Sequence, residues 1–324
     1  MVQKILLAMV TISVTSIGIV GAASLYSENY TSIQKEFIFA ENIPDATKTF
    51  PPVSFPDITV QAVGLYVGTV DLTSGTVTPL YTKNEYQKLP IASISKLMTT
   101  YVATRNRRLT DTFTITDWAI SGPWPSNKFT VGDVFSLKEL LEAALVESNN
   151  DAARVLASTI GERAFVQNMN MAAVAFSLPD TKLYSADGTE RILSDTWVEN
   201  TSTPNDIAHL IVSLYKTSPE LLKVTTMPEV LISDVTGMHT FTAYSTNKLI
   251  DRFSEGLTLL GAKTGTSDNE RKHFVVLFKD GRGDAFVAVV LQSKDNFADM
   301  TTILDAVTKY QNDLYAQNQK SIVR

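Results

Sequence analysis

The stretch from Ile91 to Thr100, "IASISKLMTT", sets a serine, Ser93, one helical turn before a lysine, Lys96. In a helix, positions i and i+3 share a face, so the Lys96 amine can reach the Ser93 hydroxyl and, when neutral, take its proton. The helix start also turns the Ser93 backbone N–H outward, where it suits an oxyanion. A lysine base needs a lowered pKa: the helix N-terminus and a second cation, Lys263, both disfavour a charged Lys96, and burial adds to this. The spacing alone decides little, because it recurs at Ser32/Lys35, Ser213/Lys216 and Ser245/Lys248.

Composition narrows the chemistry that this pair could serve. With 324 residues, 44% hydrophobic and 19% charged, the chain can bury a sizeable core in one large or two smaller domains. The net charge of −6 and the lack of clustered Lys and Arg argue against a nucleic-acid partner. There is no cysteine, which excludes thiolate chemistry and Cys-ligated metals, and the three histidines show no H-E-x-x-H spacing. No metal and no cofactor is expected.

The chain divides into three parts. Ile5 to Ala23 carries no charge and follows Lys4, the pattern of an export signal or membrane anchor over residues 1–23. A retained tether is expected, which makes the protein extracytoplasmic, in the periplasm or at the cell surface, and held to the cytoplasmic membrane. Residues 24–56 turn polar and acquire Pro44, Pro51, Pro52 and Pro56, reading as a linker. The catalytic domain is expected over 57–324.

Within that domain, "ITVQAVGLYVGTVDL" and "TVTPLYT" bracket Thr73-Ser74-Gly75 as a β-hairpin. A helix is expected from Ser93 to about Asn106. Ser136 and Glu139 form a capping box ahead of "LKELLEAALVE", and "DAARVLASTIG" opens another helix directly after Ser148-Asn149-Asn150. Further helices are expected at 163–176, 205–216 and 297–317, and "KHFVVLFKD" and "DAFVAVVLQ" form a second hairpin. Strands at both ends with a helical middle give an α+β fold, an antiparallel sheet packed against a helical cluster.

Three polar motifs therefore stand in order: Ser93-Ile94-Ser95-Lys96, Ser148-Asn149-Asn150 and Lys263-Thr264-Gly265. With the text around them, "LPIASISKLMTTYVA", "LKELLEAALVESNNDAARVLA", "FVQNMNMAAVAFSLPDT", "STNKLI" and "GAKTGTS", the chain resembles the serine-type D-Ala-D-Ala carboxypeptidases, the low-molecular-mass penicillin-binding proteins. The resemblance implies a β-lactamase/transpeptidase-like fold and an acyl-enzyme on Ser93, with Lys96 as base. It implies that Ser148 passes a proton to the leaving amine and that Asn150 holds the substrate amide. Lys263 would add positive charge, Thr264 and Ser267 would contact a terminal carboxylate, and the Thr266 N–H would be the second oxyanion donor. Gly265 would let substrate backbone approach its strand. The implied ligands are a peptidoglycan pentapeptide ending in D-Ala-D-Ala and, as inhibitors, β-lactams.

Two departures from the family pattern bear on specificity. Where such proteins usually carry an arginine after the K-T-G strand, this chain has Ser293, with Lys294 adjacent, and their usual "GL" element is "YSADGT" here. An endopeptidase acting within cross-links, a β-lactamase using Glu190 as deacylating acid, and a non-catalytic wall-binding protein are the alternatives. Outside the β-lactamase reading, Glu190 is expected to be a solvated loop carboxylate.

Overall fold

A computed structural model describes residues 53–322 except 255 and 268. The expected anchor at 1–23 and the linker as far as Pro52 lie outside the described residues, and Val53–Tyr315 form one compact unit. It opens with the expected hairpin, β1 (Gly64–Val70) and β2 (Val77–Lys83), whose turn is held by Asp71 accepting the amides of Thr73 and Ser74 at 2.8 and 3.2 Å. A short strand β3 (Leu89–Pro90) leads through a 3-10 turn, Ala92–Ser95, into α1 (Lys96–Thr104). Next come β4 (Thr112–Thr114), α2 (Asp117–Ile120), β5 (Val134–Ser136), α3 (Leu137–Val146), α4 (Asn150–Ser158) and α5 (Glu162–Ala175). The short strands β6 (Arg191–Leu193), β7 (Thr196–Val198) and β8 (Thr201–Ser202) precede α6 (Pro204–Thr217), α7 (Pro219–Val224) and the hairpin β9 (Glu229–Ser233) with β10 (Thr240–Tyr244). Three long strands, β11 (Leu257–Thr266), β12 (Lys272–Asp280) and β13 (Ala285–Ser293), and the helix α8 (Asn296–Ile322) complete the chain.

Five strands make one antiparallel sheet in the order β11-β12-β13-β1-β2. The first strand is thus sealed by the last, with Gly64 opposite Leu291 and Val70 opposite Ala285. Side chains alternate between the faces. Val275, Leu277, Val287 and Val289 face the core formed with α1, α3, α4 and α6, while Phe274, Val276, Phe278 and Phe286 face a second core with Met300, Ile303, Leu304 and Val307 of α8. Burial on both faces explains why β12 and β13 read as near-continuous apolar runs.

The α+β architecture agrees with the sequence reading, and several boundaries differ. The helix expected from Ser93 begins as α-helix only at Lys96, leaving Ser93 in the 3-10 turn, and the terminal helix runs to Ile322. The elements α2, α7 and β4 to β10 are too short for hydrophobic periodicity to reveal. No helix among the described residues is long and apolar enough to cross a membrane.

The expected capping box is formed: Glu139 N donates to Ser136 Oγ at 3.4 Å and Ser136 N donates to Glu139 Oε2 at 3.1 Å. It starts α3, whose apolar side chains are buried throughout. Ser136→Ala should cost about 1 kcal/mol and lower the thermal midpoint by about 2–4 °C, read by circular dichroism, with activity retained.

Candidate active site

Ser93 sits half-buried in the 3-10 turn ahead of α1, just after Ala92, whose φ of 45° is a conformation that costs a non-glycine residue energy. One turn on, Lys96 is fully buried. Its Nζ donates to Ser93 Oγ at 2.9 Å, to Asn150 Oδ1 at 2.7 Å and to the Asp187 carbonyl at 2.5 Å. Burial holds its pKa down at about 7, with Asp187 pulling it up and Arg154 pushing it down. Burial is the leading cause and Arg154 is a cation that the sequence reading did not name, while Lys263 lies near enough that it and Lys96 disfavour each other's charge.

Ser148 and Asn150 occupy the junction between α3 and α4, and Asn149 caps α4 by accepting from Ala152 N at 3.0 Å. Capping falls to the residue between them, so both neighbours face the site. Ser148 adopts φ 62°, and its Oγ accepts from Lys263 Nζ at 2.8 Å. Asn150 Nδ2 donates to the Trp124 carbonyl at 3.2 Å. Lys263 is buried on β11 and also donates to the Thr264 carbonyl at 2.9 Å; burial and the nearby Lys96 lower its pKa well below the ordinary lysine value.

The edge strand β11 passes directly beside the serine turn. A Cβ at Gly265 would lie 3.0 Å from the Ile91 carbonyl oxygen and 3.3 Å from Ser93 N, so a side chain there would press the strand and the turn apart by a few tenths of an ångström. Close contact with the protein's own backbone is thus a reason for this glycine beyond substrate approach. Thr264 Oγ1 lies 2.6 Å from Thr246 Oγ1, Thr266 ends the strand, and Ser267 Oγ lies 3.2 Å from His273 Nε2. Ser93, Ser148, Asn150, Thr264, Gly265, Thr266 and Ser267 all line one cleft of about 870 Å³, with Lys96 and Lys263 buried at its floor.

Over residues 56–295 the chain matches the family model described as D-alanyl-D-alanine carboxypeptidase. The chain belongs to that family. It is 27% identical to the D-alanyl-D-alanine carboxypeptidase of Streptomyces sp. strain K15, covering 75% of this chain and 84% of that one. It is 31% identical to the D-alanyl-D-alanine endopeptidase of Pseudomonas aeruginosa, covering 61% of this chain and 62% of that one. Among solved structures it resembles penicillin-binding protein D2 of Listeria monocytogenes in its cefotaxime-bound form, with a TM-score of 0.65, 25% identity, and 78% and 98% of the two chains covered.

As a D-alanyl-D-alanine carboxypeptidase family member, the chain shows its departures in three dimensions. Ser293 is buried and donates to Asp299 Oδ2 at 2.6 Å, and Lys294 is exposed outside the residues lining the cleft. The cations on the cleft wall are instead Lys248 and Lys272. Glu190, expected to be solvated, is half-buried and lines the cleft. Beside Ser267, burial pushes the His273 pKa down to about 3, so the ring is neutral. Gln292 N donates to its Nδ1 at 3.3 Å, which leaves the Nε2 hydrogen for Ser267 Oγ.

Sequence reasoning missed the residues that pack behind the lysine, Asp187, Gly188 and Arg154. "YSADGT" registered only as a departure from a pattern, and nothing in the sequence reading singled out Arg154. Thr99 donates to the Ala186 carbonyl at 2.6 Å, and Asn200 Oδ1 accepts from the amides of Tyr184 and Ser185, so this loop is bound to α1 and to the strand region beyond it. Gly188 has φ 87°, and a Cβ there would lie 2.5 Å from the Ala92 carbonyl oxygen. Gly132 has φ 96° with nothing within 4 Å of the corresponding point. Gly188→Ala should therefore displace the Ser93 turn and destabilise the fold by roughly 1–3 kcal/mol beyond what Gly132→Ala costs. Equal urea midpoints for the two variants would show that the contact with Ala92 carries no energy.

Proposed function

We propose that the protein is a serine D-Ala-D-Ala carboxypeptidase of the cell envelope, trimming peptidoglycan stem peptides through an acyl-enzyme on Ser93. The observation that carries the reading is a buried lysine amine 2.9 Å from a serine hydroxyl on one side of a cleft, facing a second buried lysine bound to a second serine at 2.8 Å. Neutral Lys96 would take the Ser93 proton as Oγ attacks the carbonyl carbon of the penultimate D-Ala. The oxyanion would be held by the N–H groups of Ser93 and Thr266. As the tetrahedral intermediate collapses, Ser148, backed by Lys263, would pass a proton to the amine of the departing D-Ala and regain one from protonated Lys96, which returns the lysine to its neutral form. Water would then hydrolyse the ester and free Ser93. Asn150 would hold the substrate amide, and Thr264 and Ser267 its terminal group. The family reading supports an extracytoplasmic location, and the apolar stretch Ile5 to Ala23 supports a tether to the membrane.

Fluorescent penicillin should label the protein covalently at Ser93, with the label lost in Ser93→Ala; mapping of the adduct to another serine would overturn the assignment. Lys96→Ala should lower acylation on the order of 10²-fold. Because the Lys96 pKa is lowered to about 7, the base form grows as pH rises, and the acylation rate should climb through about pH 7 to a plateau.

One observation favours the endopeptidase reading as the alternative. The wall beside Ser267 is built from neutral His273 and Gln292, and Lys294 does not reach it. A carboxypeptidase must recognise a free carboxylate there, with Lys272 or Lys248 as the available cations. Turnover of a D-Ala-D-Ala peptide is therefore expected to exceed that of its terminal amide. Equal rates on the two would favour cleavage within cross-links.

A further inference from the structure

Behind Lys96 lies a buried charged cluster that the mechanism above does not use. The fully buried carboxylate of Asp187 is shared between two arginines, Oδ2 accepting from Arg154 Nη1 at 2.7 Å and Oδ1 from Arg191 Nη2 at 3.1 Å. Arg154 of α4 is also buried, pairs with Asp151, and donates to the carbonyls of Ala119 and Pro123 at 2.6 and 3.0 Å. Arg191 reaches outward to Glu162 of α5 at 2.8 Å. The backbone carbonyl of the same Asp187 accepts from Lys96, and Gly188 next to it packs on Ala92.

Two groups of one residue thus act on the lysine in different ways. The carbonyl orients the amine in either protonation state, whereas the carboxylate favours the charged form, which cannot act as a base. Arg154 and Arg191 offset that carboxylate. A buried ion pair is poor evidence for stability, since apolar residues of similar volume serve a core as well or better. Its place directly behind the reacting pair calls for a role there.

We propose that Arg154 and Asp187 are positioning residues for the acylation step, their ion pair holding the Asp187–Gly188 peptide against Lys96 and the Ser93 turn and setting the charge balance at the Lys96 amine. The proposal rests on the reading of Lys96 as the base. Asp187 raises the Lys96 pKa and Arg154 lowers it, both after the larger effect of burial. The other charged groups around this cluster are Lys263 from β11, Asp151 from α4, Arg191 from β6 and Glu162 from α5.

The test is the pH profile of acylation of the full chain by fluorescent penicillin. Asp187→Asn keeps the backbone carbonyl and removes the negative charge, so its midpoint should fall. Arg154→Gln leaves the carboxylate less compensated, so its midpoint should rise, each by about half a pH unit or more. Arg191→Gln, on a side chain 22% exposed, should move the midpoint upward by less, and decides the sign against Asp187→Asn if Arg154→Gln fails to fold. A purely structural ion pair would lower stability and amplitude without moving midpoints in opposite directions. Unchanged midpoints, or shifts of one sign, would overturn the proposal while an inactive Lys96→Ala leaves the base reading standing. A Lys96→Ala protein that acylates at the normal rate would remove the base reading itself, and the proposal with it.

Discussion

The amine of Lys96 is the point on which three distant parts of the chain converge. It is fully buried and donates to Ser93 on its own turn, to Asn150 at the start of α4 and to the carbonyl of Asp187 in the loop before β6. An isolated ammonium in such a place is costly, and the protein answers by letting the amine approach neutrality near pH 7 while satisfying its hydrogen bonds. A lysine that is polar enough to demand partners and buried enough to lose its proton is what an activated serine requires.

The backbone around the cleft carries strain. Ala92, Trp124 and Ser148 line the cleft and all have positive φ, although none is glycine. Such residues persist only where their surroundings over-determine them. Here the surroundings are the sealed five-stranded sheet, the capped helices α3 and α4, and two glycines, Gly188 and Gly265, that let other segments lie against the serine turn from two sides.

Much of the fold was legible in the sequence because its signals are local. Alternating and continuous apolar runs marked β1, β2, β12 and β13; Ser136 and Glu139 marked the start of α3. The gap between the apolar periodicity of "LKELLEAALVE" and "DAARVLA" marked a helix junction, though which residue caps α4 was not readable: Ser148, Asn150 and Asp151 are as plausible by type as Asn149, which does the capping. The second face of the sheet was also hidden, since a continuous apolar run says that a strand is buried without saying by what.

For the site, the sequence by itself determined the chemical groups, the Ser93–Lys96 pair, the Ser148-Asn149-Asn150 junction and the Lys263-Thr264-Gly265 strand, because each lies in a short motif with its own spacing; that Lys263 pairs with Ser148, 115 residues away, is a fact of the fold. Only the tertiary structure decided their electrostatics. The depth of Lys96, the pairing of Arg154 with Asp187, the neutral state of His273 and the removal of Lys294 from the cleft all depend on residues far apart in the chain. A pKa is set by the dielectric and the charges within a few ångströms, and spacing along a chain does not say which groups those are.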